Sequence, residues 1–280
     1  MTNILVGTCS WTDPALVRSG WYPPGWRDAE RRLRFYAGRF PVVEVDGSFY
    51  TLPSERNSLL WVERTPAEFV FDVKAYAPLT GHPARQAALA DVPLDEVWAR
   101  FAAGIGPLRE AGRLGGVLFQ FPPWFRPGAR AERFLEETAE RTAGWPVQVE
   151  FRHPSWWEER QRDLTCALLN KYGFGAVAVD MRQGLPASMP PLTPVTATRL
   201  AVVRFHGRSS SWGRGSKEER FRYDYSRAEL AEWLPRLRAL AEQVDQVHVL
   251  FNNCCAAAAV HAAETMDELL SPRSAPSSSR

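Results

Sequence analysis

The 280-residue sequence predicts a single (β/α)8 barrel of the TIM type. Three observations predict it. Short runs rich in Val and Phe alternate with helical stretches eight times, the pattern of parallel βαβ units. Eight such units favour closure into a barrel over an open sheet. Within the runs, apolar and polar residues alternate with a period of two, as in strands whose two faces meet different surroundings.

In chain order, Ile4-Leu5-Val6-Gly7-Thr8-Cys9 is the first predicted strand, and its prolines and glycines make the segment through Trp21-Tyr22-Pro23-Pro24-Gly25-Trp26 a loop. A short helix, Glu30 to Gly38, leads to strand two, Val42 to Asp46, which puts Glu44 and Asp46 on one face. Ser54 is a suitable N-cap for a helix ending near Arg64. Strand three, Phe69 to Lys74, has Asp72 and Lys74 on a common face. A helix from Leu94 to Ala111 precedes strand four, Gly116 to Phe121, which Pro122-Pro123 stops by removing backbone donors.

After a helix from Ala131 to Thr142, Val147-Gln148-Val149-Glu150-Phe151-Arg152 is strand five, with Gln148, Glu150 and Arg152 on one face and Pro154 as its stop. Glu158 to Tyr172 is helical and closed by Gly173, and Gly175 to Asp180 is strand six. Proline-rich Met181 to Thr198 is an irregular connection and the weakest unit. Strand seven, Leu200 to Gly207, is followed by a basic, glycine- and serine-rich loop from Arg208 to Arg220. Ser226 caps one amphipathic helix reaching Gln243, with Leu230, Trp233, Leu234, Leu237 and Leu240 as its apolar stripe. Strand eight, Val247 to Phe251, ends in Asn252-Asn253, and Ala256 to Leu270 is the last helix. The barrel thus occupies residues 1–270, and the serine-, proline- and arginine-biased stretch 271–280 is expected to be a disordered tail.

Composition narrows the class. An apolar fraction of 45% and a charged fraction of 24% are those of a globular protein, and no apolar run is long enough for a bilayer. No basic segment followed by a long apolar core opens the chain, so a cytoplasmic location is expected. Cys9, Cys166, Cys254 and Cys255 form no CxxC spacing, which suits a reducing compartment and argues against structural zinc. A net charge of +2 makes no global case for nucleic acid. Tryptophans at predicted strand ends are explained more simply as rings covering barrel rims than as a stacking platform.

The parity that sends Val43, Val45, Phe71, Val73, Val149, Val203 and Phe205 outward sends a polar set into the barrel near its C-terminal mouth: Glu44, Lys74, Gln120, Glu150, Arg152, Arg204, His206 and Asn252. Each alone has a structural explanation. Glu44 with Lys74, and Glu150 with Arg204, could be buried ion pairs, and His206 a hydrogen-bonded core histidine. Together they are costly to desolvate without a ligand, which favours a site. The carboxylates raise the possibility of a glycosidase, but Gln120 and Arg204 stand where its acid and nucleophile belong. No cofactor is assigned; a divalent metal near Glu150, Asp180 and His206 is a lesser alternative. Lys74, Arg152 and Arg204, with Arg208, Arg214 and Lys217 on the loop, make a small anionic ligand the best chemical match. No Gly-rich phosphate motif or Ser-His-Asp elbow is present.

Several ordered blocks resemble the YecE-like proteins, the family catalogued as domain of unknown function 72. They are Gly7-Thr8-Cys9-Ser10-Trp11, Val43-Glu44-Val45-Asp46-Gly47-Ser48-Phe49-Tyr50 with Leu52-Pro53, Phe71-Asp72-Val73-Lys74 and Leu118-Phe119-Gln120-Phe121-Pro122-Pro123. They continue with Glu150-Phe151-Arg152-His153-Pro154-Ser155-Trp156, Val203-Arg204-Phe205-His206-Gly207-Arg208 and Phe251-Asn252-Asn253. The resemblance covers residues 4–270 and implies one TIM barrel in a bacterial or archaeal-type cytoplasmic protein, without naming a reaction. It carries over Glu44, Lys74, Glu150, Arg152, Arg204, His206 and Asn252 as motif positions, and Tyr50 and His153 lie in the same blocks. Cys254 departs from it, standing where the family usually has an aspartate after the paired asparagines. The resulting expectation is a hydrolase or lyase acting by acid/base catalysis on an anionic substrate, phosphorylated compounds being one option. Glu44, Lys74, Glu150 and His206 are its catalytic candidates; Tyr50, Gln120, Arg152, His153, Arg204 and Asn252 are its binding candidates. The alternative is a non-catalytic binding protein for a phosphorylated metabolite or, with weaker support, a nucleic-acid end. No membrane partner is expected, and the oligomeric state is open.

Overall fold

The protein is described by a computed structural model at residues 3–26, 28–89, 91–211, 219, 222–253 and 255–271. Among these, nine strand segments form one parallel sheet: β1 (Ile4–Thr8), β2 (Val42–Val45), β3 (Val70–Lys74), β4 (Leu114–Gln120), β5 (Val147–Glu150), β6 (Gly175–Ala176), β7 (Ala178–Asp180), β8 (Leu200–Phe205) and β9 (Gln246–Phe251). Their order is β6-β5-β4-β3-β2-β1-β9-β8-β7. The ends of that order, β6 and β7, are halves of the single run predicted as strand six. Gly175–Ala176 pairs with β5 and Ala178–Asp180 pairs with β8, so one interrupted strand bridges both edges and closes the barrel. The helical ring is α1 (Pro14–Arg18), α2 (Ala29–Ala37), α3 (Glu55–Glu63), α4 (Leu94–Glu110), α5 (Ala129–Arg141), α6 (Glu159–Lys171), α7 (Arg227–Ala231), α8 (Leu234–Ala241) and α9 (Ala258–Leu270). No helix lies between β7 and β8 among the described residues, as the prolines of 181–198 indicate.

Helix starts follow local chemistry. Ser54 accepts from Asn57 N at the start of α3, and Ser226 and Glu229 form a reciprocal capping box at α7. Two expectations need correction. The stretch after β1 is not all loop, because Asp13 accepts from the amides of Ala15 and Leu16 and starts α1. The predicted helix from Ser226 to Gln243 is two helices, since Pro235 has no N–H to continue the ladder and occupies the first turn of α8. Predictions on Cys254, the basic segment 212–218 and the tail 272–280 fall outside the described residues.

The outward residues Val43, Val45, Phe71, Val73, Val149, Val203 and Phe205 are buried under the helices, as the parity requires. Close approach makes Gly7 obligatory. A Cβ on Gly7 would sit 2.0 Å from Val42 O, so only glycine lets β1 and β2 pair here. Inside the barrel, His248 Nδ1 lies 2.7 Å from Asp72 Oδ2, and a Cβ on Gly115 would fall 2.6 Å from Asp72 Oδ1. The polar interior therefore begins below the mouth.

Candidate functional site

Strand register sets the site. Gln120 pairs with Glu150 across β4 and β5, and Arg204 pairs with Leu250 across β8 and β9. Facing residues in parallel partners share a face, so Glu44, Lys74, Gln120, Glu150 and Arg204 converge on the barrel axis. Arg152, His206 and Asn252 continue the parity just past their strands; His206 N still donates to Asp180 O and Asn252 N to Phe205 O, both at 2.8 Å.

The lower tier is built on Arg204, which is fully buried. Its Nε and Nη2 donate to the two oxygens of Glu44 at 2.8 and 2.6 Å, and its Nη1 donates to Glu150 Oε2 at 2.6 Å. Nη2 also lies 3.6 Å from Cys9 Sγ. Burial opposes the charge of Arg204, yet the two carboxylates overcome it and hold its pKa well above the usual range. Burial likewise opposes the charge of Glu150, but Arg152, Arg204 and His206 keep its carboxyl well below normal. Glu44 goes the other way: burial, with Asp46 adding repulsion, raises it against the pull of Arg204 and Lys74. Both pKa values of the Glu44–Arg204 pair are thus raised, which favours the charge of Arg204 and opposes that of Glu44. The two-pronged guanidinium contact favours the ionised Glu44.

His206 Nε2 lies 3.1 Å from Glu150 Oε1, and its Nδ1 lies 3.0 Å from Asn252 Nδ2. An amide donor at Nδ1 places the ring proton on Nε2, donated to Glu150. Burial and the repulsion of Arg152 push this imidazole down to about 3, so it is neutral at physiological pH. Glu44, Glu150, Arg204 and His206 are all fully buried and form a closed network.

The upper tier faces the opening. Arg152 is 16% exposed; its Nε forms an ion pair with Glu150 Oε1 at 2.5 Å, and its Nη2 donates to Gln120 Oε1 at 3.1 Å. Lys74 does not reach Glu44 as its partner: its Nζ donates to Asp46 Oδ1 at 2.8 Å and lies 4.6 Å from the centre of the Phe49 ring. Arg85 approaches the same ring at 5.8 Å. Next to Phe49 stands His82, with ring centroids 5.1 Å apart, and Trp124, 64% exposed, lies 5.7 Å beyond His82. Tyr50, another exposed ring, contacts Phe49 at 5.2 Å. Burial, then Lys74, Arg85 and Arg152, push His82 down to about 4.

Two expected residues are engaged elsewhere. His153 Nδ1 accepts from Ser155 N at 3.2 Å and lies 2.6 Å from Ser155 Oγ, so it caps the turn at Pro154–Trp156. Asp180 does not join Glu150 and His206. It faces Phe205 in register and so points outward, where it accepts from Arg208 at 2.7 Å, Tyr225 OH at 2.6 Å and Trp233 Nε1 at 2.8 Å. Among the described residues no three side chains gather as a metal site. Sequence reasoning missed His82 and Arg85, which sit in a loop without periodicity, and it missed His248, which the parity of Val247 and Val249 places inward.

A sequence profile described as "Protein of unknown function DUF72" matches residues 5–279. The chain belongs to the DUF72 family. A curated relative is the UPF0759 protein YunF of Bacillus subtilis (strain 168), 33% identical over 276 residues that span 95% of this chain and 94% of YunF. A DUF72 protein from Enterococcus faecalis V583 has a crystal structure superposing with a TM-score of 0.84 at 24% identity, covering 95% of both chains. Another, from Thermotoga maritima MSB8, gives 0.81 at 29% identity over 95% of this chain and 98% of that one. DUF72 membership and these structures agree with the barrel. Among the described residues no helix is long and apolar enough to cross a membrane.

Proposed function

We propose that this DUF72 chain is an enzyme, a hydrolase or lyase, that binds a small phosphorylated substrate at the C-terminal mouth and acts on it by acid/base catalysis. The observation that carries the proposal is the convergence of Lys74, Arg85 and Arg152 on the His82 side of the mouth, above a buried tier in which Arg204 is bonded to both Glu44 and Glu150. Arg204 satisfies Glu44 and Glu150 from below, and Glu150 orients Arg152, whose guanidinium is the fork suited to a phosphoryl or carboxylate group. Lys74 adds a second cation, with Gln120 and Asn252 as neutral neighbours. In this reading Glu150 positions Arg152, and proton transfer belongs to the partly exposed tier.

Complete burial of Glu44, Glu150 and His206 favours a second reading, a binding protein for the same anions without turnover. The test is a panel of phosphomonoesters, phosphodiesters and carboxylate esters, with Arg152→Ala compared with the parent. Turnover of one class, with KM raised about 10-fold or more in the variant, as loss of a charge-assisted contact of about 1.5–3 kcal/mol requires, supports the enzyme. Binding without turnover supports the second reading, and no Arg152-dependent binding of any anion refutes both.

A further inference from the structure

Thr80 Oγ1 donates to Ala77 O at 3.0 Å, which commits its only proton. With that proton on Ala77 O, the contact with His82 Nδ1 at 2.8 Å is an N–H donated by the ring. The neutral His82 tautomer carries its proton on Nδ1, and Nε2 is left as a lone pair with no hydrogen-bond partner among the described residues. The ring is only partly buried, between Phe49 and the exposed Trp124. The charged groups that act on it come from separate elements: Lys74 from β3, with Asp46 as its counter-ion; Arg85 from the loop carrying His82; and Arg152 from the end of β5.

We infer that His82 is the catalytic proton carrier of this mouth and that the bound anion switches it on. This rests on the anion site proposed above. A proton leaves a water or substrate hydroxyl as an N–H bond forms at Nε2, and the same proton passes to the leaving oxygen, so none stays on the protein. Thr80 keeps the ring oriented throughout. Before the anion arrives, partial burial and, after it, three cations oppose an imidazolium; its midpoint of about 4 reflects that opposition. An anion between Lys74, Arg85 and Arg152 cancels the repulsion and adds a favourable partner, which moves the base toward working pH.

Sulfate is the probe, because its charge is constant over the range studied. The chain has five histidines, so ring C–H resonances can be followed by NMR and His82 assigned by the signal lost in His82→Gln. The expected result is that saturating sulfate raises the His82 midpoint by about one unit or more. By reciprocity, sulfate then binds about tenfold tighter below both midpoints than above them, and this excess disappears in His82→Gln. Sulfate binding that depends on Arg152 but leaves the His82 midpoint in place overturns this inference and leaves the anion site standing. Absence of Arg152-dependent sulfate binding overturns both.

Discussion

Replacing Arg204 with Met should destabilise the barrel strongly, and in a pH-dependent way. Arg204 makes three short bonds, at 2.6, 2.6 and 2.8 Å, to two carboxylates in a fully buried environment. Glu150 would keep Arg152 and His206, whereas Glu44 would lose both bonds from the guanidinium. Breaking a buried pair from one side costs about 3–5 kcal/mol, because it leaves a charge without compensation. A typical domain has about 5–15 kcal/mol in total, so about a fifth or more of the stability would go.

The sign of the pH effect follows from linkage. Glu44 already has a folded pKa above its ordinary value, and losing Arg204 raises it further. Such a group penalises folding above its folded pKa and ceases to do so below its unfolded pKa of about 4.3. The deficit should be largest near pH 8 and shrink toward pH 5. Denaturant unfolding followed by tryptophan fluorescence measures it. Adding Glu44→Leu should recover most of the loss, since the orphaned carboxylate is removed while Glu150 keeps Arg152. A loss under about 1 kcal/mol, or one unaffected by either pH or Glu44→Leu, would refute the buried-charge argument.

Other outcomes test neighbouring features. Acid stability should decline as pH falls from about 6.5, because the unfolded imidazole takes a proton there while folded His206 resists it down to about 3; His206→Gln should flatten that limb in a stability-versus-pH series. Asp180→Ala should cost about 3 kcal/mol or more in urea unfolding, since Trp233 Nε1 and Tyr225 OH lose their acceptor and each orphaned group costs about 1–3 kcal/mol. Gly7→Ala should yield little folded protein in soluble-expression and circular dichroism measurements, because Val42 O occupies the space that the Cβ needs.

The contrast between Arg204 and Asp180 shows what sequence could reveal here. Arg204 sits in Val202-Val203-Arg204-Phe205, where Phe205 is committed to the helices and parity leaves Arg204 no direction but inward. The same logic located Glu44, Lys74, Gln120 and Glu150. Strand six, Gly175-Ala176-Val177-Ala178-Val179-Asp180, has only small and apolar residues before its carboxylate. Nothing in it fixes a parity, and its break at Val177 resets the facing altogether. The break is a property of closure: each half must satisfy a different neighbour, a long-range demand that a local window does not contain. His82 was illegible for a related reason. No period places a loop histidine, and its role emerges only when β2, β3, β4 and β5 bring Phe49, Lys74, Trp124 and Arg152 around it. Alternation therefore finds the buried lower tier, whose task is to hold charges in place. In the reading proposed above, Lys74 and Gln120 meet the ligand from the strand ends, while His82, Arg85 and Arg152 lie past them, where the period stops; a search of such barrels for proton carriers should begin in those loops.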